Sequence, residues 1–330
     1  MSTSALTLLL LTAVPELGDV SWGRDLDAAL AESRASQRPV LILFDEVPGC
    51  STCVRYGQAV LRHPLLVEAA ETLFVPVAIY NNRGGADGAA LERFGEPSWN
   101  NPVVRFVDGE GAPLTPRLAG DYRRGALARH MVAARRAKKL EVPRWLALVA
   151  AEDRAFERVY AQMGCFWSGE ACLGALDAVS GTRTGWMAGR EVVELRVEPD
   201  RLESLFGQIR AAGCVRRVHV RTPKHGRLAA KAGLEVTEAQ SFAHAPKDDL
   251  HTLRRSPLRA LPLTPLQASR VNAALAAGRS PLEWLSPRQR ALAEGIGGHL
   301  AKGASELPDP KAADSLHDAV AALERALEGR

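Results

Sequence analysis

Two cysteines three positions apart, in Val47-Pro48-Gly49-Cys50-Ser51-Thr52-Cys53, are the groups in this chain best suited to chemistry. An apolar run at 40–44 precedes them and a helix-like stretch at 54–61 follows. A thiol where a strand turns into a helix sits in the partial positive charge of the helix N-terminus, which favours the thiolate. Cys50 is therefore read as a nucleophile. Cys53, one turn on, is placed to attack a mixed disulfide formed at Cys50. A third cysteine has a like setting. The strand candidate 156–162 runs into Gly164-Cys165-Phe166-Trp167, and helical pattern continues through 171–176.

The other two cysteines read differently. Cys172 lies two turns down the helix from Cys165, roughly 10 Å along its axis, which is beyond disulfide reach. Cys214 ends a helix and reads as core packing, the usual fate of a free cysteine. Five cysteines are an odd number and too few for a secreted disulfide scaffold. A metal at Cys50 and Cys53 would need further ligands, and no second Cys/His pair stands at ligand spacing. The histidines at 219, 225, 244, 251 and 299 form no ligand pattern. No metal and no cofactor is expected.

The elements that must hold these residues follow from pattern and punctuation. At 330 residues the chain is long enough for two domains. Hydrophobic residues at 46% and charged residues at 24% suit a folded globular chain. The net charge of +4 comes without a basic run interleaved with aromatics, which argues against a nucleic-acid partner. No run reaches the roughly 18 apolar residues of a membrane span, so no membrane partner is expected. Residues 5–14 are apolar like the core of a signal peptide. They lack a basic leading region and a small-x-small cleavage site, so a cytoplasmic location is the expectation.

In order, 22–37 reads as a helix, 40–44 as a buried strand, and 50–62 as a helix interrupted at His63-Pro64. Strand 73–80, helix 89–94, strand 103–107, a turn at 108–111, edge strand 117–120 and helix 123–139 complete a sheet with helices on both faces. Residues 141–155 read as a linker helix. Strands at 179–187, 190–197 and 216–220 surround a helix at 202–212, and 222–240 reads as an insertion.

Residues 20–140 resemble a thioredoxin fold. The Cys-x-x-Cys follows the first central strand, and Pro102 falls where that fold carries a cis-proline whose backbone holds substrate. The stretch 47–53 also resembles a thioredoxin-like (seleno)protein family with a Val-Pro-Gly-Sec-x-x-Thr signature; Cys50 takes the selenocysteine position and Cys53 that of Thr. The chain departs from ordinary thioredoxins in three ways. No Trp precedes Cys50. Ser51-Thr52 replaces Gly-Pro. The buried acid six residues before the first cysteine is Phe44 here; Asp45 is adjacent, but strand alternation sends it to the opposite face. The acceptor for the Cys53 proton is thus not identified.

Residues 156–277 resemble peptide methionine sulfoxide reductase of the A type, which implies an α+β ferredoxin-like domain. Gly164-Cys165-Phe166-Trp167 with Glu170, then Gly185-Trp186-Met187-Ala188-Gly189, then the strand Arg190-Glu191-Val192-Val193 carry the resemblance. It implies that Cys165 attacks a sulfoxide sulfur and that Glu191 protonates the departing oxygen. Phe166 and Trp167 would cradle the methyl group, with Glu170, Trp186 and Asp249 around them. The product would be a sulfenic acid on Cys165 that another thiol must resolve. Trp186 and Arg254 stand where the family uses tyrosines, which leaves the substrate open.

The expectation is an α/β thioredoxin-like domain at 20–140, a linker helix, a sulfoxide-reductase-like domain at 156–277 and a helical tail at 278–330. An apolar stripe at 313–327 would pack the tail on the body or on a second copy. The reading is a thiol oxidoreductase that acts on a small-molecule or peptidyl sulfoxide or disulfide. Cys50 and Cys53 would serve Cys165 as a reductant in cis, recycled by a cellular thiol reductant. Three alternatives stay open: a peroxidase or disulfide reductase at Cys50 with an inert second domain, a module that binds without turnover, and a metallochaperone.

Overall fold

The protein is described here from a computed structural model, which covers residues 14–99, 102–301 and 306–329. The signal-like stretch at 5–13, Asn100-Asn101 and part of the expected linker at 303–310 lie outside the described residues. The chain divides into two compact units between Leu140 and Glu141.

The first unit is built on β1, Val40–Asp45, every residue of which is buried. Its apolar run at 40–44 suits a strand covered on both faces. Helix α1, Leu26–Ser36, leads into it and is capped by the Asp25 side chain, which accepts the Ala28 N–H. After β1 come α2, Ser51–Tyr56, a π-helical turn at Gly57–Leu61, and α3, Pro64–Leu73. Pro64 sits in the first turn of α3, where its missing N–H costs nothing, so it restarts the helix. This crossover carries the chain to β2, Val75–Tyr80, which pairs parallel with β1. Helix α4, Ala86–Phe94, precedes β3, Val103–Val107, antiparallel to β1. The short β4, Leu118–Ala119, pairs antiparallel with β3, and α5, Arg124–Ala137, follows. The sheet order is β2-β1-β3-β4. Val40, Ile42 and Phe44 pack on one face with Ala29, Leu30, Ala90 and Leu91. By alternation Leu41, Leu43 and Asp45 face the other side.

The second unit starts with α6, Arg144–Ala151. This helix does not link two bodies: Trp145, Leu146 and Val149 are buried, and it packs against a later helix of the same unit. Then follow β5, Glu157–Gln162; α7, Phe166–Gly174; β6, Val179–Met187; β7, Arg190–Val197; α8, Leu202–Ala212; and β8, Arg217–Val220. These six elements form a β-α-β-β-α-β unit in which each strand is antiparallel to its neighbours, in the order β6-β7-β5-β8. The stretch read as an insertion supplies α9, Pro223–Lys231, and β9, Val236–Glu238, which pairs parallel with β8. On the opposite edge β10, Phe242–His244, pairs with β6.

Four helices complete the unit: α10, His251–Arg254; α11, Pro265–Ala276; α12, Pro287–Ala301; and α13, Leu316–Leu327. Leu253, Val271, Leu285, Ile296, Val320 and Leu323 share one core, so the expected tail is packed on residues 250–275. No helix among the described residues is long and apolar enough to cross a membrane.

One bond in the second unit overturns an expectation. Cys214 is not a free core cysteine: it forms a disulfide with Cys172, their Cα atoms 6.8 Å apart. The residues are 42 apart in sequence, and only the packing of α7 beside α8 brings them together. Cys50, Cys53 and Cys165 are the free cysteines.

Candidate active site

The first unit brings Cys50 and Cys53 together, with their sulfurs 3.2 Å apart. Cys50 is the N-cap of α2 and is exposed; Cys53 is fully buried. The Cys50 thiol is held below its ordinary pKa, first by the Cys53 backbone N–H, then by the Cys53 thiol, with the Thr52 N–H adding to both. Cys53 is pushed the other way, by burial above all and then by the Asp45 carboxyl and Cys50. Two equivalent thiols thus become an exposed nucleophile and a protonated reserve.

Asp45 is the acid that sequence reasoning placed on the wrong face. It is fully buried, and burial pushes its pKa up to about 7, against the opposing effect of the Cys53 thiol. One carboxylate oxygen accepts the Glu46 N–H at 3.1 Å. The reason for the error is parity. The loop from strand to first cysteine is one residue shorter than the spacing that put Phe44 in this role. Phe44 packs with α1 and α4, and its neighbour meets the dithiol.

The loop that carries Cys50 is clamped from two sides. Glu16 is 4% exposed and accepts the Gly49 N–H at 2.7 Å. Asn82 accepts the Val47 N–H and donates to the Pro48 carbonyl, each at 3.4 Å. Gly49 is needed because a Cβ there would lie 2.1 Å from the Glu46 carbonyl oxygen and 2.8 Å from Cys53 Cβ. At Gly57 a Cβ would meet the Pro15 carbonyl oxygen at 1.9 Å, so the segment before α1 lies directly on the dithiol helix. Val47-Pro48 is a cis peptide bond. Pro102 is buried, and the bond before it involves Asn101, outside the described residues.

In the second unit Cys165 is the N-cap of α7 and is exposed. Glu191 on β7 accepts the Phe166 N–H at 2.6 Å through Oε2. Trp186 lies directly across from Glu191 in the β6–β7 pairing, and its ring meets Phe166 edge-on at 5.5 Å. Phe166 is mostly core, at 5% exposure, while Trp167 and Trp186 stay open to solvent. Trp167 stacks on His251 at 4.0 Å and donates its indole N–H to Asp248 at 3.0 Å.

Glu170 and Asp249 hold the scaffold in this structure. Glu170, 1% exposed, accepts from Thr182 at 3.0 Å and from the Leu250 N–H at 2.6 Å. Burial raises its pKa to about 7. Asp249 accepts from the Thr184 N–H at 2.7 Å and hydroxyl at 2.9 Å, and its other oxygen pairs with His244 at 2.7 Å. Arg254 donates to the carbonyls of Pro246 and Lys247, which ties it into the adjacent loop.

Sequence reasoning missed Glu16, Asn82, Thr182, Thr184 and His251. These partners lie 12 to 84 residues away in sequence, and no local spacing marks them. Only Asp45, as an acid on an otherwise apolar strand, carried a signal.

This first unit is a thioredoxin-like domain with a Cys-x-x-Cys dithiol at the start of its first crossover helix. Residues 21–109 match a family described as thioredoxin-like. A solved structure titled "DsbH Oxidoreductase" is similar at 18% identity over 42% of this chain and 96% of that one, with a TM-score of 0.32. No curated protein matches the chain.

Proposed function

We propose that the protein is a thiol–disulfide oxidoreductase acting through Cys50. The Cys50 thiolate attacks one sulfur of a substrate disulfide; that S–S bond breaks, and the leaving thiolate takes a proton from water. Asp45 in its ionised form accepts the Cys53 proton, and the Cys53 sulfur attacks Cys50. The second substrate thiol leaves, and a Cys50–Cys53 disulfide remains. Two electrons have passed to the substrate, and a cellular thiol reductant returns them. The observation that carries this reading is the asymmetry of the pair, an exposed sulfur of lowered pKa 3.2 Å from a buried thiol facing a carboxyl. The test is reduction of a chromogenic disulfide by the reduced chain. Cys50→Ser is expected to abolish it, and Cys53→Ser to accumulate a mixed disulfide at Cys50. Full activity in Cys50→Ser would reject the reading.

A second activity is favoured by the 2.6 Å contact from the Phe166 N–H to Glu191 beside exposed Cys165. We read Cys165 as a nucleophile toward a sulfoxide such as methionine sulfoxide. One Glu191 oxygen, Oε2, is engaged by the Phe166 N–H, and Oε1 is not part of that contact. The Cys165 sulfur bonds the sulfoxide sulfur, Glu191 protonates the oxygen, and collapse gives a thioether and a sulfenic acid on Cys165. A thiol then attacks that sulfenic acid, releasing water and forming a disulfide. The β-α-β-β-α-β order supports a ferredoxin-like, sulfoxide-reductase type for this unit. Cys50 and Cys53 are the proposed donors in cis. Free-thiol counts after methionine sulfoxide treatment test the step. Unchanged consumption in Cys165→Ser would remove it, and a Cys50–Cys165 disulfide peptide would establish the relay.

A further inference from the structure

We propose that the reduced first unit binds one Zn²⁺ between Cys50, Cys53 and Glu46. A carboxylate oxygen of Glu46 and the two sulfurs all lie within 4.8 Å of one another. Two thiolates on one tetrahedral zinc, each at about 2.3 Å, stand roughly 3.8 Å apart. The observed 3.2 Å is within a small side-chain rotation of that spacing. Glu46 is the third ligand that a search for a second Cys/His pair does not find, because it belongs to the turn leaving β1 and lies four residues before Cys50.

The donor set selects the ion. Two thiolates with one carboxylate suit zinc. Cu(I) is satisfied by the thiolates alone, and Mg²⁺ or Ca²⁺ would reject them. The ligands are also held in place. Glu46 leaves the strand with its N–H bound by Asp45, and the intervening loop is fixed by Glu16 and Asn82. Three protein ligands leave a fourth position for water or a small ligand, the pattern of an open zinc site. Binding forms two Zn–S bonds and one Zn–O bond, and any thiol protons go to solvent. A Cys50–Cys53 disulfide offers no thiolate, so metal binding and disulfide exchange exclude each other at this site.

The experiment uses the full chain carrying Cys165→Ser, reduced until two free thiols per chain are counted so that the Cys172–Cys214 disulfide is retained, and titrated with Zn²⁺ alone against a chromophoric chelator. One ion per chain is expected, and none on the oxidised protein. Glu46→Gln should lower the affinity at least ~10-fold, and Glu46→His, which restores a ligand without the charge, should recover most of it. Co²⁺ on the chain with Glu46 intact should show a thiolate-to-metal charge-transfer band and tetrahedral d–d absorption. Affinity in Glu46→Gln within about twofold of the parent, equal binding by the oxidised chain, or a Co²⁺ spectrum without the thiolate band would each overturn the site. Disulfide reduction assayed with chelator present bears only on the exchange activity.

Discussion

Asp45 and Cys53 are both fully buried, and the carboxyl of the first faces the thiol of the second. The Asp45 carboxyl opposes ionisation of Cys53, while the Cys53 thiol, as a hydrogen-bond donor, favours the ionised Asp45, so the pair shares one easily moved proton. That proton is the one Cys53 must lose before it can displace a substrate from Cys50. Residues 45 and 53 come from the end of a strand and the first turns of the helix after it.

Removing that acceptor should slow the second half of the exchange and spare the first. Asp45→Asn is expected to leave formation of the mixed disulfide at Cys50 close to normal. Its resolution by Cys53 should slow by about 100-fold, the low end of general-base effects. Stopped-flow release of the two substrate thiols separates the steps; equal slowing of both would contradict the assignment.

The same carboxyl makes stability depend on pH in a defined direction. In the unfolded chain Asp45 loses its proton near 3.8, whereas the fold holds it until about 7. The native state therefore binds the extra proton, and this contribution to stability is present below about pH 4 and lost as pH rises to 7. Asp45→Asn should gain stability over the parent on going from pH 4 to pH 8, on the order of 3 kcal/mol. Denaturant melts of the first unit at the two pH values check this.

Alkylation should discriminate the dithiol. In the reduced protein iodoacetamide is expected to modify Cys50, with a midpoint below that of an ordinary thiol, while Cys53 stays protected until unfolding. Peptide mapping across a pH series reads both. Faster labelling of Cys53 would contradict the assignment of nucleophile and reserve.

Glu16 is predicted to act through its hydrogen bond to Gly49. Glu16→Ala leaves a part-buried N–H unpaired and should cost about 1 kcal/mol, and Glu16→Gln should recover most of it. If Gln proves as damaging as Ala, the charge rather than the hydrogen bond matters.

The Cys172–Cys214 bond closes a loop of 42 residues in the second unit. Chain-entropy arguments put its contribution near 4 kcal/mol, less any relaxation. Cys214→Ser, or mild reduction, should lower the unfolding midpoint of that unit and leave the first unit's midpoint in place.

Local pattern settled much of this protein. Strands 179–187 and 190–197 and helix 202–212 were legible to the residue, because alternation, the Ala188-Gly189 turn and the Gly213 stop are short-range signals. The dithiol was legible for the same reason: two cysteines one turn apart need only a helix to meet. Which acid faced it depended on loop length and strand parity, and a single residue's change reverses the face. The clamp by Glu16, the Glu46 ligand position, the stacking of His251 on Trp167 and the Cys172–Cys214 bond were decided only by tertiary structure. Each joins groups whose meeting is set by how elements pack, and no residue spacing along the chain encodes that packing.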